Sequence, residues 1–275
     1  MAKYFFSRIA LIVTILDIHA HRGNLEDVEH NHSALCYRNN EISWFLAKTL
    51  YVMADFNKYL FLSPGTYRIL FSSAPFYGIG RILDCKTQNY FYNAEKHKNI
   101  HQLVPVFKKI VDPLMGISIS TLILLQFFSR DEHTRYVSHV FLSALPFLWA
   151  YKNIIKQIPC KGSIRPKNEH FSPHCMYYGG FPSGHTLEAV FMAYLFGTEL
   201  GPSYMVPLSA FATLVIIQSV TSNRHTLSQV VAGAALGAIF GAASKKVVTD
   251  ALHHKWGCGI IVNRSGFNIS FERKF

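Results

Sequence analysis

The chain has 275 residues, half of them hydrophobic and 16% charged, with a formal net charge of +11. That length and balance fit one large domain or a small polytopic membrane protein, and a mean hydropathy of +0.17 requires the apolar residues to be concentrated in blocks if it is the latter. The charge excess does not point to nucleic acid: no basic helix, RNA-reading motif or zinc finger accompanies it, and the basic residues fall mostly between apolar segments, where they suit anionic head groups or phosphate.

Residues 1–20 open with Lys3 and Arg8, continue through an apolar run, Ile9–Leu16, and reach Ala20 where a cleavage site would fall. This is the pattern of a signal peptide or a signal anchor. Residues 21–111 read as a polar loop followed by peripheral or short membrane helices. In that part Ile42–Leu83 mixes aromatics with Lys48, Asp55, Lys58, Arg68 and Arg81, and Asp84-Cys85-Lys86 is the expected end of its last helix. Asn89–Gln102 is polar again.

Residues 112–248 are the expected core. Pro113–Phe128, Val137–Tyr151, Ala189–Phe196, Tyr204–Val220 and Val230–Ser244 carry no charge, His being counted neutral. Several are shorter than the roughly 20 residues of a span, but each extends into a small or polar flank. Together they predict an all-α fold: a polytopic transmembrane helix bundle with a core of four to six helices. Residues 249–275 form a tail, with β-prone halves on either side of Asn263–Gly266 that predict a small hairpin.

Three polar stretches interrupt the apolar block: a Lys-rich loop ending in Arg165-Pro166, then Phe181–Thr186 (FPSGHT), then Arg224–Gly233 (RHTLSQVVAG). If Tyr136–Ile155 crosses once, the helix from Thr186 to Leu200 returns and Tyr204–Val220 crosses again, all three emerge on one face. Lys245, Lys246 and Lys255 then lie opposite, which makes that side cytoplasmic and the shared face extracytoplasmic or lumenal.

The residue types on this face suit phosphate chemistry. Hydrolysis of a phosphomonoester or diphosphate needs cations around the phosphoryl oxygens, a nucleophile in line and an acid for the leaving group. His225 is the candidate nucleophile, since neutral imidazole attacks phosphorus without a metal, and Gln229, one helical turn on, is placed to hold its other ring nitrogen. His185 is the candidate acid. Ser183 and the Gly184 amide stand at a helix start, where phosphate oxygens bind; Lys156, Arg165 and Arg224 supply charge. The plainer reading is also open: the Ser-Gly pair caps a helix and each His is a packed, hydrogen-bonded residue.

No metal and no cofactor is expected. The pairs His19/His21, His30/His32 and His253/His254 lack Cys or carboxylate partners at ligand spacing. Glu188 either faces the site or pairs with a loop lysine. Cys160 and Cys175 bracket the loop before FPSGHT, and either pair or stay as thiols.

These stretches resemble the signature of the type 2 phosphatidic acid phosphatase superfamily: Lys, six residues, Arg-Pro; then Pro-Ser-Gly-His; then Ser-Arg, five residues, His, three residues, Asp. The likeness covers Tyr136 to Ser244. Pro182–His185 is complete and Arg165-Pro166 is present, but the lysine is off register, with Lys156 fitting after a two-residue insertion. The family arginine falls on Ser219 and the family Asp on Gln229, as in the dolichyl-diphosphatase and glucose-6-phosphatase branches, where Gln stands at the latter place. The resemblance implies a membrane phosphatase that forms a phosphohistidine, acts on a lipid phosphate or diphosphate and needs no metal. The alternatives are a catalytically impaired lipid-phosphate-binding pseudoenzyme and a helical transporter; nothing in the sequence fixes the oligomeric state.

Overall fold

The computed structural model describes residues 48–92, 95–96, 98–158, 165–166, 179–253, 255–263 and 266–274. The expected signal segment, the loop that follows it and the pair Cys160/Cys175 lie outside them. Seven helices are described: α1 (48–62), α2 (Pro64–Tyr92), α3 (Lys98–Phe128), α4 (Glu132–Gln157), α5 (Gly184–Leu200), α6 (Pro202–Thr221) and α7 (Leu227–His253). A two-stranded sheet, β1 (Lys255–Asn263) with β2 (Gly266–Lys274), follows.

Local chemistry sets the helix limits. Asp131 caps α4, its carboxylate accepting from the Thr134 N–H at 2.8 Å. Between α5 and α6, Gly201 takes a φ of +84°, which lets the chain reverse at once into Pro202 at the head of α6. Two boundaries differ from the sequence expectation. Helix α2 does not stop at Asp84 but runs on to Tyr92, because the Asp84 carboxylate is buried against Ser228 rather than ending its own helix. Helix α3 starts at Lys98, well before the uncharged stretch, so its first turns are polar.

The helices pack around α5 and α7. Helix α5 lies against both α6 and α7, α2 runs along α7, and α3 packs on α4. Their core is aromatic: Phe141 meets Phe191 at 5.2 Å and Phe196 at 5.3 Å between ring centroids, and Phe56 meets Phe240 at 5.3 Å. One face of α7 carries Gly233, Gly237 and Gly241, at steps of four residues. A Cβ on them would stand 2.5 Å from the Ser183 carbonyl oxygen, 2.5 Å from the Leu187 carbonyl oxygen and 2.6 Å from the Tyr194 ring. The stripe brings the backbones of α5 and α7 together, as small residues at four-residue steps do between membrane helices.

Among the described residues three segments are long and apolar enough to cross a bilayer: Pro105–Phe128, Pro202–Thr221 and Leu227–Ala251. Large hydrophobics also stand exposed outside them, among them Leu70, Phe71, Phe76, Ile79 and Ile82 on α2. In water so broad an apolar surface drives association; against acyl chains it is satisfied. The fold is an all-helical bundle, apart from the terminal hairpin, and it fits an integral membrane protein.

Candidate active site

The segment that carries His225 is a tight reversal between α6 and α7. After Thr221 the Ser222 and Asn223 amides close on the Gln218 and Val220 carbonyls at 3.1 and 3.0 Å. Asn223 adopts a left-handed φ of +51°, which Asn tolerates better than most residues. His225 is then fixed by its own N–H, which donates to the Ser219 carbonyl at 3.1 Å.

Its ring is held from the other side. Nδ1 lies 2.8 Å from the Gly180 carbonyl oxygen and 3.3 Å from Gln229 Oε1. The Gly180 carbonyl can only accept, so Nδ1 carries the proton and Nε2 keeps its lone pair. Gln229 occupies the expected place, one turn along, yet its bond is the longer of the two, and its oxygen also accepts from Thr226 N–H at 3.3 Å. Gly180 leaves room for that amide: a Cβ would fall 2.6–2.9 Å from the Gln229 amide group, which would have to shift.

The FPSGHT stretch is tied to the same point. Ser183 N–H donates to the Gln229 carbonyl at 3.0 Å, joining the head of α5 to the first turn of α7. Ser183 is fully buried and its Oγ shares a hydrogen bond with Thr186 Oγ1 at 2.9 Å. Gly184 begins α5, and the stem of Lys152 lies across it, 3.1 Å from where a Cβ would be. His185 stands in the first turn, where charges on Glu188, Arg224, Asp112 and Lys152 all act on its ring.

Cations converge on this region. Lys156, in the last turn of α4, has its ammonium pushed down to about 8, first by burial and then by the charges of Arg165 and Lys152, with Arg224 also contributing. Arg165 feels Arg224 in turn and points Nη2 at the Gly179 carbonyl, 3.5 Å away. Burial, followed by the charges of Arg165 and Lys156, holds the His225 imidazole down to about 3, so it is neutral at physiological pH. Arg224 reaches Asp112 on α3, Nη1 to Oδ1 at 3.3 Å. The structure therefore brings Lys156, Arg165, Arg224, Ser183, Gly184, His185, His225 and Gln229 to one end of the bundle.

Some neighbours were not legible in the sequence. Glu188 pairs with a helix residue rather than a loop lysine: its Oε1 accepts from Lys152 Nζ at 2.6 Å and from Trp149 Nε1 at 3.0 Å. The spacing of Lys152 and Lys156, four residues apart on α4, is the signal that could have placed both on one face. Gly180 acts through its backbone oxygen, which no side-chain pattern announces. Among the described residues no three His, Cys, Asp or Glu side chains group as a metal site requires.

Comparison with known proteins bears on the same segment. The model of the PAP2 superfamily matches residues 133–252, a span that takes in α4 to α7 and all three motif regions. Proteins of this superfamily are phosphatases of phosphate esters, often those of lipids. No match is found among curated proteins or among solved structures. Motif, order and matched span agree: from α4 to α7 the chain is similar to the PAP2 superfamily.

Proposed function

We propose that the chain is a membrane phosphatase that hydrolyses a phosphomonoester or diphosphate of a lipid, through a phosphohistidine on His225 and without a metal. The observation that carries this reading is the tautomer of His225: a carbonyl at 2.8 Å fixes the proton on Nδ1 and leaves the Nε2 lone pair beside a cluster of cations.

The steps follow from that arrangement. Lys156, Arg165 and Arg224 bind the phosphoryl oxygens, together with the amides at the head of α5. Nε2 of His225 attacks phosphorus as the bond to the leaving oxygen breaks, and His185 gives that oxygen its proton. The imidazolium formed on His225 strengthens its Nδ1–H bond to the Gly180 carbonyl, while Gln229 stands at the place where the family has a carboxylate. Water then attacks the phosphohistidine, His185 takes the proton of that water, and phosphate leaves with His225 neutral again. The site faces the extracytoplasmic or lumenal side.

The test is phosphate release by the purified protein from a panel of lipid phosphates and diphosphates. Turnover should survive excess EDTA, stop with vanadate, and fall at least about a thousandfold in His225→Ala. Loss of activity on chelation, restored by Mg²⁺ or Zn²⁺, overturns the metal-free mechanism. Because Ser219 and Gln229 replace the family Arg and Asp, a binding protein without turnover is the second reading; phosphate binding with no release from any substrate would favour it.

A further inference from the structure

The nucleophile segment is braced from outside the family-matched span. Helices α2 and α3 precede residue 133, and each brings one carboxylate to the stretch Arg224–Ser228. From α2, Asp84, 6% exposed, accepts from Ser228 N–H at 2.9 Å through Oδ1 and from Ser228 Oγ–H at 2.6 Å through Oδ2. Arg81, one turn earlier, holds the same Oδ2 at 3.1 Å. The two helices come this close because Gly80 has no side chain: a Cβ there would stand 3.1 Å from the Ser228 backbone. From α3, Asp112 Oδ1 holds Arg224 Nη1 at 3.3 Å.

Physical chemistry gives each contact a task. The first amides of a helix have no partner within it, and a carboxylate there satisfies one while favouring the positive end of the helix dipole. Asp84 does this for α7 from another helix, and so fixes the turn that follows His225. Arg224 lies near Lys156 and Arg165, whose charges repel it. Asp112 offsets that repulsion with a single bond, leaving the remaining N–H groups of the guanidinium free to meet a phosphate. We propose that Asp84 and Asp112 are positioning residues that clamp the nucleophile segment from both ends, Asp84 setting the aim of His225 and Asp112 that of Arg224. A displacement of about 1 Å in such a group can cost about a hundredfold in rate.

The kinetic part of this proposal rests on the phosphatase reading, and the structural part does not, so the test reads both. Hydrogen exchange is measured on the full chain in detergent, over a peptide covering residues 222–230, for wild type, Asp84→Asn, Asp112→Asn and the milder Ser228→Ala. Exchange there should rise severalfold in each variant, while the α5 peptide changes little. Alongside, Asp84→Asn should lower kcat about tenfold with KM within about twofold, and Asp112→Asn should raise KM about tenfold with recovery in Asp112→Glu. Combining Asp112→Asn with Arg224→Lys should cost less than the sum of the two, since both act through one contact. Unchanged exchange over 222–230 in all three variants, or an additive Asp112–Arg224 pair, overturns the clamp. A wild type that releases no phosphate from any substrate sinks the phosphatase reading, and the exchange result still decides the clamp.

Discussion

A histidine can attack phosphorus only from a nitrogen that is unprotonated and aimed, and both conditions depend here on atoms that a motif does not contain. Gln229 was readable, because a residue four places on from His225 shares its helical face. The stronger partner, the Gly180 oxygen, is a backbone atom forty-five residues away in sequence, and such an acceptor leaves no trace in side-chain pattern. Among the cations the reverse holds. Lys156 is off the family register, yet its position at the end of α4 places it with Arg165 and Arg224, and that makes a pH test available. Its ammonium is pushed down to about 8, so the charge is present below that pH and lost as pH rises through it. The kcat/KM profile reports groups of the free enzyme and should therefore fall above about pH 8. Lys156→Arg keeps its charge throughout that range and should abolish this alkaline limb. A limb that persists unchanged in the arginine variant would mean that Lys156 does not meet the phosphate. Ser219, on the family arginine position, is 1% exposed and gives its carbonyl to His225 N–H. An arginine there would have no room, which is the physical reason to look to Arg224, five residues on, for the second guanidinium.

At the level of elements, the uncharged stretches marked the helices from α3 to α7, and a Gly-Pro pair marked the break between α5 and α6. What the stretches did not reveal was how closely two of them pack. Gly233, Gly237 and Gly241 read as small residues in an apolar run, and their common face becomes visible only beside α5. The ends of α2 were hidden for a related reason: Asp84 has the composition of a helix terminus, and only its tertiary bond to Ser228 shows that it stabilises another helix instead. The glycine face makes a sharp distinction between substitutions. In Gly237→Ala the new Cβ would lie 2.5 Å from the Leu187 carbonyl oxygen and 3.0 Å from Val190 Cβ, so α5 and α7 must move apart. Overpacking of this kind costs about 1–3 kcal/mol. In Gly78→Ala the Cβ meets nothing within 4 Å, and the better helix propensity of Ala should add about 0.5–1 kcal/mol. Thermal unfolding in detergent should move in opposite directions for the two. Equal shifts would mean that the α5–α7 contact is looser than the glycine face implies.

For the whole molecule, the distribution of apolar surface fits a bilayer, and the placement of charge predicts an orientation. The polar site occupies one end of the bundle; the α5–α6 turn and the far end of α7, with Lys245 and Lys246, occupy the other. The path of α6 sets their separation: it runs 20 residues from Pro202 to Thr221, about 30 Å at 1.5 Å per residue, and its last turns meet His225. Helix α2 passes Ser228 at Asp84 and continues outward, so Glu95 lies beyond the site on the same side. Counting basic residues alone does not settle the orientation, because Lys156, Arg165 and Arg224 stand at the site end. On the phosphatase reading those three have phosphate to bind, whereas Lys245 and Lys246 have no such task, and the usual cytoplasmic bias then predicts their side. Single cysteines in a chain whose five native cysteines are replaced by serine read the orientation directly. Glu95→Cys and Ser203→Cys are both at exposed positions. A membrane-impermeant maleimide applied to intact cells should label Glu95→Cys, and should label Ser203→Cys only after the membrane is opened. The opposite pattern would put the site on the cytoplasmic face, and the cations at the site end would then account for the positive bias themselves.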